Sequence, residues 1–378
     1  MKKIIISTIF IFLISGCWNY KELNDYAIAT GMAIDYFDDK YIVSILIGNG
    51  NILEKQSSES QYESVLYSGS GSTIGEAIMD IDLTLPKQLY LGHLSCLVIS
   101  EDIAKRGIYD SIKFLLEDSQ SKKDFYVVLA KDSKASDVLS ITSSLVDNSS
   151  ESISNSVNFS SRTHGNINAK TFNDVMYDLI NEGIDSAINS YIIIGNKEEG
   201  NIEPESYIKL DSLGIFRGDK LVGWADKDQG NGINIINNDV NELHFDIPFM
   251  DGYIAFNVNN LKTIRDISKN YIKIKTTGVA TVSEFTCDIN LNNDNIIKEL
   301  NNSLNEKIKS MIYNGYMLAK NSDSDVFGFG LEYYQNNYLE YEEINFDDIY
   351  LNLNPEILVD IKIKDNIKQS EMRIANEN

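Results

Sequence analysis

The stretch HLSCLVISEDIAKRGIYDSIKFLLEDSQSKKDFYVVLA, residues 93–130, decides the fold class of this chain. It opens with HLSCLVIS, a short apolar run that is typical of a buried strand. Residues 101–119, EDIAKRGIYDSIKFLLEDS, carry apolar side chains at helical spacing, and we expect one helix there. FYVVLA, residues 125–130, then returns as a second buried strand. A strand, a helix and a strand in this order predict a mixed α/β unit.

The segments before this stretch extend the same pattern. YIVSILIG, residues 41–48, has the composition of a strand. STIGEAIMDIDLTL, residues 72–85, has the apolar spacing of a helix, and Thr73 and Glu76 stand where a capping box would place them. We therefore predict an N-terminal mixed α/β domain over residues 17–140.

The composition changes after residue 140. From Ser140 to Ser161, ten of 22 residues are Ser, with few large apolar side chains among them. This composition favours a linker or a mobile loop over a core element. A helix at residues 171–181 and a β-hairpin in LGIFRGDKLVGW, residues 213–224, follow this segment, and the turn of the hairpin falls at Gly218-Asp219. We predict a middle domain over residues 141–238.

The last third of the chain changes character again. GYIAFNV, residues 252–258, and YIKIKTTGVATVSEF, residues 271–285, are typical of strands. A long amphipathic helix is predicted at residues 295–320. Strict alternation in IYLNLN, residues 349–354, and ILVDIKIK, residues 357–364, then predicts paired strands.

Together these patterns predict an α+β or mixed α/β protein of three domains. Mixed sheets flanked by helices form the first part, and a C-terminal α+β domain at residues 239–378 is built around one long helix. A chain of 378 residues is too long for one ordinary core, which agrees with several domains.

The sequence offers no arrangement of residues that would carry a reaction. The three histidines, His93, His164 and His244, stand far apart and lack the spacing of metal ligands. Neither a phosphate loop nor a nucleophile elbow is present. Because the chain has 56 acidic residues, a pair of carboxylates carries almost no information. We predict no catalytic residue, no cofactor and no metal.

One segment resembles a calcium-binding loop. In NSDSDVFGFGLE, residues 321–332, oxygen donors occupy the first, third, fifth and twelfth positions, namely Asn321, Asp323, Asp325 and Glu332. The sixth position, which needs Gly for its sharp turn, is Val326. The apolar part of the segment favours a packing role over calcium binding.

The charge of the chain limits its partners. The formal net charge is −23, and only five of the 33 basic residues are Arg. A negative surface excludes nucleic acid as a partner. Cys96 and Cys287 remain available for a disulfide, but Cys96 lies in an apolar run and is better explained as a small core residue.

The N-terminus predicts an anchored exoprotein. Lys2 and Lys3 precede an apolar run at residues 4–14, which is too short to span a bilayer and is typical of a secretory signal peptide. The run closes on Ile-Ser-Gly-Cys, which matches the lipobox of bacterial lipoproteins, so we predict a signal peptide at residues 1–16 and a diacylglyceryl group on Cys17. The alternatives are a signal peptide beside a buried Cys, or a signal anchor that is never removed.

The stretch GCWNYKELNDYAIATGMAID, residues 16–35, resembles the start of the Ger(x)C family, the lipoprotein C subunits of spore germinant receptors. The matching positions are Gly16, Cys17, Trp18, Glu22, Leu23, Asn24, Gly31 and Asp35. The resemblance continues in order through TIGEAI, LYLGHLSCLVISEDIAKRGI, LGIFRGDKLVGW and DVFGFG.

This resemblance implies a non-enzymatic subunit of a nutrient germinant receptor, required for the spore germination response. It implies a lipid anchor on the outer face of the cell membrane, which is the spore inner membrane, and assembly with the integral-membrane A and B subunits. The alternative is a substrate-binding lipoprotein of a membrane importer, for which two similar α/β lobes are expected. The sequence identifies no germinant and leaves open whether this subunit binds one.

Two aromatic features carry open alternatives. Trp18 is either a contact with the membrane interface, where Trp is enriched, or a tether residue without a partner. The segment LEYYQNNYLEYEE, residues 331–343, is either a partner surface or an exposed, partly packed helix end, and we favour the second.

Overall fold

The computed structural model of the chain describes residues 25–48, 64–142, 148–195, 197–198, 201–202, 206–291, 293–341 and 350–364. The predicted signal peptide and Cys17 lie outside the described residues. The strands are β1 Tyr26–Phe37, β2 Lys40–Gly48, β3 Ser64–Gly71, β4 Gln88–Tyr90, β5 Cys96–Ser100, β6 Tyr126–Ala130, β7 Ala187–Ile194, β8 Lys197–Glu198, β9 Asn201–Ile202, β10 Tyr207–Arg217, β11 Lys220–Ala225, β12 Glu242–Phe249, β13 Gly252–Ser268, β14 Tyr271–Phe285 and β15 Pro355–Ile363. The helices are α1 Ile74–Asp82, α2 Glu101–Arg106, α3 Tyr109–Ile112, α4 Phe114–Glu117, α5 Ala135–Ser140, α6 Ser149–Thr163, α7 Phe172–Ile180, α8 Lys227–Asn237, α9 Asp294–Asn321, α10 Phe329–Asn336 and α11 Tyr338–Tyr341.

A large mixed sheet contains nine of the strands that the structure describes, in the order β11-β10-β7-β6-β5-β1-β2-β3, with β4 paired to β1. Its centre is parallel, because β1, β5, β6 and β7 run in the same direction. Antiparallel strands extend both sides, with β2 and β3 beyond β1 and with β10 and β11 beyond β7. All five residues of β5 are buried, as expected of a parallel strand that is covered on both faces.

Helices cover both faces of the large sheet. On one face, helices α1 to α4 and α7 pack on the strands, and Ile103 and Phe172 belong to their shared apolar cluster. On the other face, α5 and α6 pack through residues that include Val138 and Ile153. This two-sided burial explains why the central strands appear in the sequence as continuous apolar runs.

Helix α1 begins where the sequence predicts. The Thr73 hydroxyl accepts a hydrogen bond from the Glu76 backbone N–H at 3.1 Å. The Glu76 carboxylate accepts from the Ser72 N–H at 2.7 Å, one residue earlier than the capping box requires. The N-cap is therefore confirmed, while the returning half of the box has a different partner.

The single helix predicted at residues 101–119 is wrong, because α2, α3 and α4 divide this segment. Helix α2 ends at Arg106, and the next residue, Gly107, adopts a φ of 131° and donates its N–H to the Ile103 carbonyl at 2.9 Å. Ile103, Ile108 and Ile112 are nevertheless fully buried, as predicted. The apolar spacing was informative about burial, but it concealed the break at the glycine.

The interpretation of residues 140–161 as a linker or mobile loop is wrong where this segment forms α6. Ser149 and Ser150 are fully buried. Helix α6 approaches β1 so closely at Gly31 that a Cβ on this glycine would lie 2.6 Å from the Ser150 Cβ. Small side chains on the helix and the strand permit this approach, so the serines are packing residues here.

The second sheet has the strand order β12-β13-β14-β15. Helix α9 packs across one face; its 28 residues make it about 42 Å long. The predicted apolar stripe of α9 is buried, and its buried members include Leu300, Leu304, Ile308, Met311 and Ile312. Exposed and buried residues alternate along all eight positions of β12, because the other face of this sheet is open.

The strand predicted in IYLNLN is wrong for residues 350–352, which are helical. Tyr350 is buried, and its ring lies 5.7 Å from that of Tyr316 and 5.9 Å from that of Phe329. Its apolar surface therefore packs on aromatic side chains and not within a sheet. The strand predicted at residues 357–364 is confirmed as β15, but it pairs in parallel with β14 and not with residues 349–354.

The predicted α+β and mixed α/β class is confirmed, with mixed sheets flanked by helices and a C-terminal part built around α9. The domain boundaries at residues 140 and 238 stay a prediction. Helix α8 follows β11 and precedes β12, so it links the two sheets. At Gly232 it packs so closely on α9 that a Cβ there would lie 1.9 Å from the Met311 carbonyl oxygen.

Candidate functional site

The hairpin formed by β10 and β11 belongs to the large sheet and contacts both the end of α2 and the segment that follows α9. Its turn lies where the sequence predicts it, with Arg217 opposite Lys220 and Gly218 at a φ of 56°. We use the name hairpin junction for its contacts, which involve residues 101–108, 185–186, 216–224 and 323–330.

On one side, the hairpin binds the end of α2. The Ile108 N–H donates to the Asp219 carbonyl at 2.8 Å. The Asp219 carboxylate lies against Gly107, where a Cβ would be 2.5 Å from Oδ2. Further along, the Trp224 Nε1–H donates to Glu101 Oε1 at 3.4 Å. The close approach and the positive φ both explain why a glycine stands at position 107.

Glu101 is held as a carboxylate at this contact. Burial raises its pKa, but hydrogen bonds from Lys105, from the Asp132 N–H and from Trp224 outweigh burial, so its pKa is lowered. Lys131 lies 5.1 Å from the centroid of the Trp224 ring, which places a cation over the same indole. These groups bind one another, and they fix the orientation of the indole.

On its other side, the hairpin binds the segment that follows α9. The Asp185 carboxylate accepts from the Gly218 N–H at 2.6 Å and from the Asp325 N–H at 2.7 Å. The Asp185 N–H donates in turn to the Asp325 carbonyl at 2.9 Å. The Ser324 hydroxyl donates to the Phe216 carbonyl at 2.6 Å. Asp185 therefore joins the hairpin turn and the C-terminal part through one carboxylate.

The Asp325 carboxylate organises the start of α10. It accepts from the Phe329 N–H at 3.1 Å and from the Gly330 N–H at 2.7 Å, in the manner of a helix cap. The Leu331 N–H donates to the Gly183 carbonyl at 2.8 Å. Gly183 and Gly330 lie backbone against backbone, since a Cβ on Gly183 would be 2.7 Å from the Gly330 carbonyl carbon.

An aromatic cluster lies beneath this cap. The rings of Phe327 and Phe329 are 4.9 Å apart, and the Tyr316 ring stacks on Phe327 at 6.0 Å. Burial raises the pKa of Tyr350 well above its ordinary value, and the nearby Asp325 carboxylate raises it further. Its hydroxyl therefore stays protonated and donates to the Ser324 carbonyl at 3.3 Å.

The candidate calcium ligands bind protein groups. Asp323 pairs with Arg217 at 3.1 Å, and Glu332 pairs with Arg265 at 2.6 Å. Asp325 serves the backbone as described above. Among the residues that the structure describes, no three His, Cys, Asp or Glu side chains form a group that could hold a metal ion.

The other residues singled out in the sequence lie apart from the junction. His93 contacts the Tyr90 ring edge-on, with ring centres 5.9 Å apart. Cys96 and Cys287 are free and buried, so the alternative of a disulfide between them is wrong. Burial raises the pKa of the Cys96 thiol.

The Tyr-rich segment spans α10 and α11. Tyr333 is buried, whereas Tyr334 and Tyr338 are partly exposed with ring centres 5.3 Å apart. A pocket of about 250 Å³ beside it is lined by residues that include Arg265 and Glu332. This volume is below the range of about 300–1,000 Å³ usual for small-molecule sites. Whether the segment is a partner surface stays a prediction.

The junction unites stretches that the sequence shows separately. SEDIAKRGI, LGIFRGDKLVGW and DVFGFG all contribute to it, although they span residues 100–330. Asp185, which holds the hairpin turn to the last of these, was missed. The only local signal was an acidic residue just before a buried strand, and this signal does not reveal a partner 140 residues away.

The comparisons with known proteins define the class to which this architecture belongs. Residues 19–194 match the spore germination protein N-terminal domain, and residues 211–367 match the spore germination B3/GerAC-like C-terminal domain. The chain therefore belongs to the Ger(x)C family of spore germination proteins.

Individual relatives agree with this assignment. Spore germination protein KC of Bacillus subtilis (strain 168) is 22% identical over 389 residues, covering 96% of this chain and 94% of the relative. Spore germination protein B3 of the same organism is 24% identical, covering 73% and 74%. The crystal structure of the GerBC protein matches 91% of this chain and 99% of its own with a TM-score of 0.51 and 15% identity, which shows a shared fold.

Proposed function

We propose that this chain is the non-enzymatic, lipid-anchored subunit of a nutrient germinant receptor. Cys17 carries the diacylglyceryl group, and the folded part lies on the outer face of the cell membrane, the spore inner membrane. There it assembles with two integral-membrane subunits of the A and B types. The observation that carries this proposal is the match of both family domains in a chain whose N-terminus has a lipobox at Cys17.

The sequence of the N-terminus supports the anchor. A basic start, an apolar run and Ser15-Gly16-Cys17 form a complete lipoprotein signal. A net charge of −23 provides no polybasic attraction to anionic lipid, so attachment needs the covalent group. Within the described residues, no helix is both long enough and apolar enough to cross a membrane.

The hairpin junction supports a scaffolding role. The carboxylates of Asp185 and Asp325 are occupied by backbone N–H groups, so they are committed to holding segments together. Such a junction fixes one sheet relative to the other. A fixed arrangement of two sheets is what a subunit needs in order to present binding surfaces to two membrane partners at once.

The test is to identify what the chain binds in spore membranes. A C-terminally tagged chain is crosslinked, extracted in mild detergent and purified, and the recovered proteins are identified by mass spectrometry. We expect two polytopic membrane proteins of receptor type. Cys17→Ala should abolish lipid attachment and recovery from the membrane fraction, whereas Cys96→Ala, at a buried thiol, should preserve both.

Three results would contradict the proposal. Recovery of an ATP-driven permease would favour the importer-binding lipoprotein, as would recovery of no partner while a small molecule raises the melting temperature. Membrane recovery of the Cys17→Ala variant equal to that of the parent would contradict the anchor.

A further inference from the structure

The position of β1 limits which part of the protein can lie near the membrane, provided that the proposed anchor at Cys17 is correct. Strand β1 begins at Tyr26, nine residues after Cys17. Nine residues reach about 30 Å when fully extended. Strand β1 has 12 residues, so its far end lies about 40 Å from its start. We use the word edge for either end of the sheet along the strand direction. The edge at which β1 begins is therefore the edge nearest the bilayer.

Helix α1 delivers a loop to this same edge. Strand β3 runs in the direction of β1, because both are antiparallel to β2, and α1 returns the chain to the edge where β1 begins. There β4 pairs in parallel with β1, with Gln88 opposite Tyr26, and the Tyr26 and Tyr90 rings lie 5.4 Å apart. The connection between α1 and β4, residues 83–87, and the first residue of β4, Gln88, are thus next to the start of β1.

This connection and the end of α1 expose large apolar side chains beside a cation. Leu83 is 86% exposed, and Met79, one helical turn before it, is 71% exposed. Residues 83–88, LTLPKQ, contain no acidic side chain and include Lys87, in a chain with 56 acidic residues. Asp82 directly precedes this connection, and Asp25 directly precedes Tyr26, which pairs with Gln88. Exposed apolar side chains with a neighbouring cation are the composition that enters a lipid headgroup region.

We propose that residues 83–88 form a membrane-contacting loop, with Leu83 and Met79 in the lipid interface and Lys87 at the phosphate level. The lipid on Cys17 supplies the attachment, and this loop supplies the orientation. The large sheet then stands with the start of β1 toward the bilayer. The turn between β1 and β2 points away from it, and that turn carries Asp38 and Asp39.

The test measures depth with a fluorophore on single cysteines of the full-length, lipidated protein. Cys96 and Cys287 are buried, and Cys17 is occupied by lipid, so Leu83→Cys can be labelled with a thiol-reactive nitrobenzoxadiazole dye. The protein is reconstituted in vesicles of equal parts phosphatidylcholine and phosphatidylglycerol, with or without spin-labelled lipid. Phe37→Cys is the matched control, because Phe37 is also an exposed apolar residue and lies at the opposite edge.

We expect the dye at position 83 to gain severalfold in emission on vesicles and to be quenched by spin-labelled lipid, while the dye at position 37 keeps its emission in water. With the dye on Met79→Cys, the additional change Leu83→Asp should reduce the gain at least twofold without releasing the protein from vesicles.

Vesicle flotation separates failure of this inference from failure of the proposed function. Protein that floats with the vesicles while position 83 behaves like position 37 overturns the membrane-contacting loop and leaves the anchor intact. Protein that does not float, with no diacylglyceryl mass on Cys17, overturns the anchor. A dye at position 83 that is shielded only in spore membranes containing the other subunits indicates a protein contact and also overturns the membrane-contacting loop.

Discussion

Strands β5 and β13 show how the two sheets of this protein differ. Every residue of β5 is buried, because helices cover both faces of the large sheet. In β13, Ile254, Phe256 and Val258 are buried in the apolar cluster that this sheet shares with α8 and α9, whereas Asn257 and Ile264 are exposed on the other face. Continuous apolar runs therefore encode a layer within a three-layer unit, and alternation encodes a sheet with one open face.

The largest loss of stability is expected where α8, the helix that links the two sheets, packs on α9. A Gly232→Ala substitution places a Cβ 1.9 Å from the Met311 carbonyl oxygen, so α8 and α9 must separate. Overpacking usually costs about 1–3 kcal/mol, and a clash with backbone should lower the free energy of unfolding by about 4 kcal/mol. Urea denaturation followed by circular dichroism measures this change.

The control for this prediction is Gly75→Ala in the exposed first turn of α1. A Cβ there meets nothing closer than the Thr73 hydroxyl at 3.9 Å. It should stabilise the protein by about 0.5 kcal/mol by restricting the unfolded chain. Equal unfolding energies for Gly232→Ala and the parent would show that α8 and α9 do not pack as described.

The second prediction tests the open face within a single strand. Ile254 and Ile264 both belong to β13, but Ile254 is fully buried and Ile264 is 59% exposed. Ile254→Ala should lower the free energy of unfolding by about 3 kcal/mol, because it removes buried methyl groups and leaves a cavity. Ile264→Ala should change it by about 0.5 kcal/mol at most. If the two variants lost equal stability, the face bearing Ile264 would be covered.

The third prediction concerns the hairpin junction. Asp185→Ala removes the acceptor of the Gly218 and Asp325 N–H groups, and it should lower the free energy of unfolding by about 2 kcal/mol. Asp323→Asn is the control. It removes an exposed ion pair with Arg217, and Asn tolerates the positive φ of this position, so the cost should be about 0.5 kcal/mol or less.

Hydrogen exchange gives an independent readout of the same substitution. In Asp185→Ala, the Gly218 and Asp325 N–H groups should exchange faster, while the N–H groups of β5 should keep their protection. Unchanged exchange at Gly218 and Asp325 would contradict the assigned role of Asp185.

Features that depend on neighbouring residues were predicted well from the sequence. The Thr73 cap, the turn at Gly218 and the buried stripe of α9 each follow from spacing within a few residues. Helix α6 was missed because its serines are buried only through the approach to Gly31, more than one hundred residues earlier in the chain. Composition indicated a linker there, because composition does not report how closely two elements pack.

The junction was invisible in the sequence for the same reason. Asp185 and Asp325 are joined through two hydrogen bonds, but 140 residues separate them. The sequence showed each contributing stretch as a separate match to a family. Only the fold shows that these stretches meet on one hairpin.

The smallest change in stability is expected from the ionisation of Asp35, which lies in the sheet that is covered on both faces. Its carboxylate accepts from the Ala135 and Ser136 N–H groups at 2.7 and 2.9 Å and caps α5. Burial raises its pKa more than these hydrogen bonds lower it. The folded protein therefore keeps the Asp35 proton at pH values where the unfolded chain has lost it, and stability falls as pH rises from the ordinary carboxyl pKa to the raised one. One group limits the slope to about 1.4 kcal/mol per pH unit.

In Asp35→Asn this part of the decline should be absent. Ser136→Ala, which removes a hydroxyl that lowers the pKa, should extend the decline to higher pH. Urea midpoints measured at half-unit steps from pH 4 to pH 8 test both variants, and profiles parallel to that of the parent would show that Asp35 is ionised in the folded protein throughout this range.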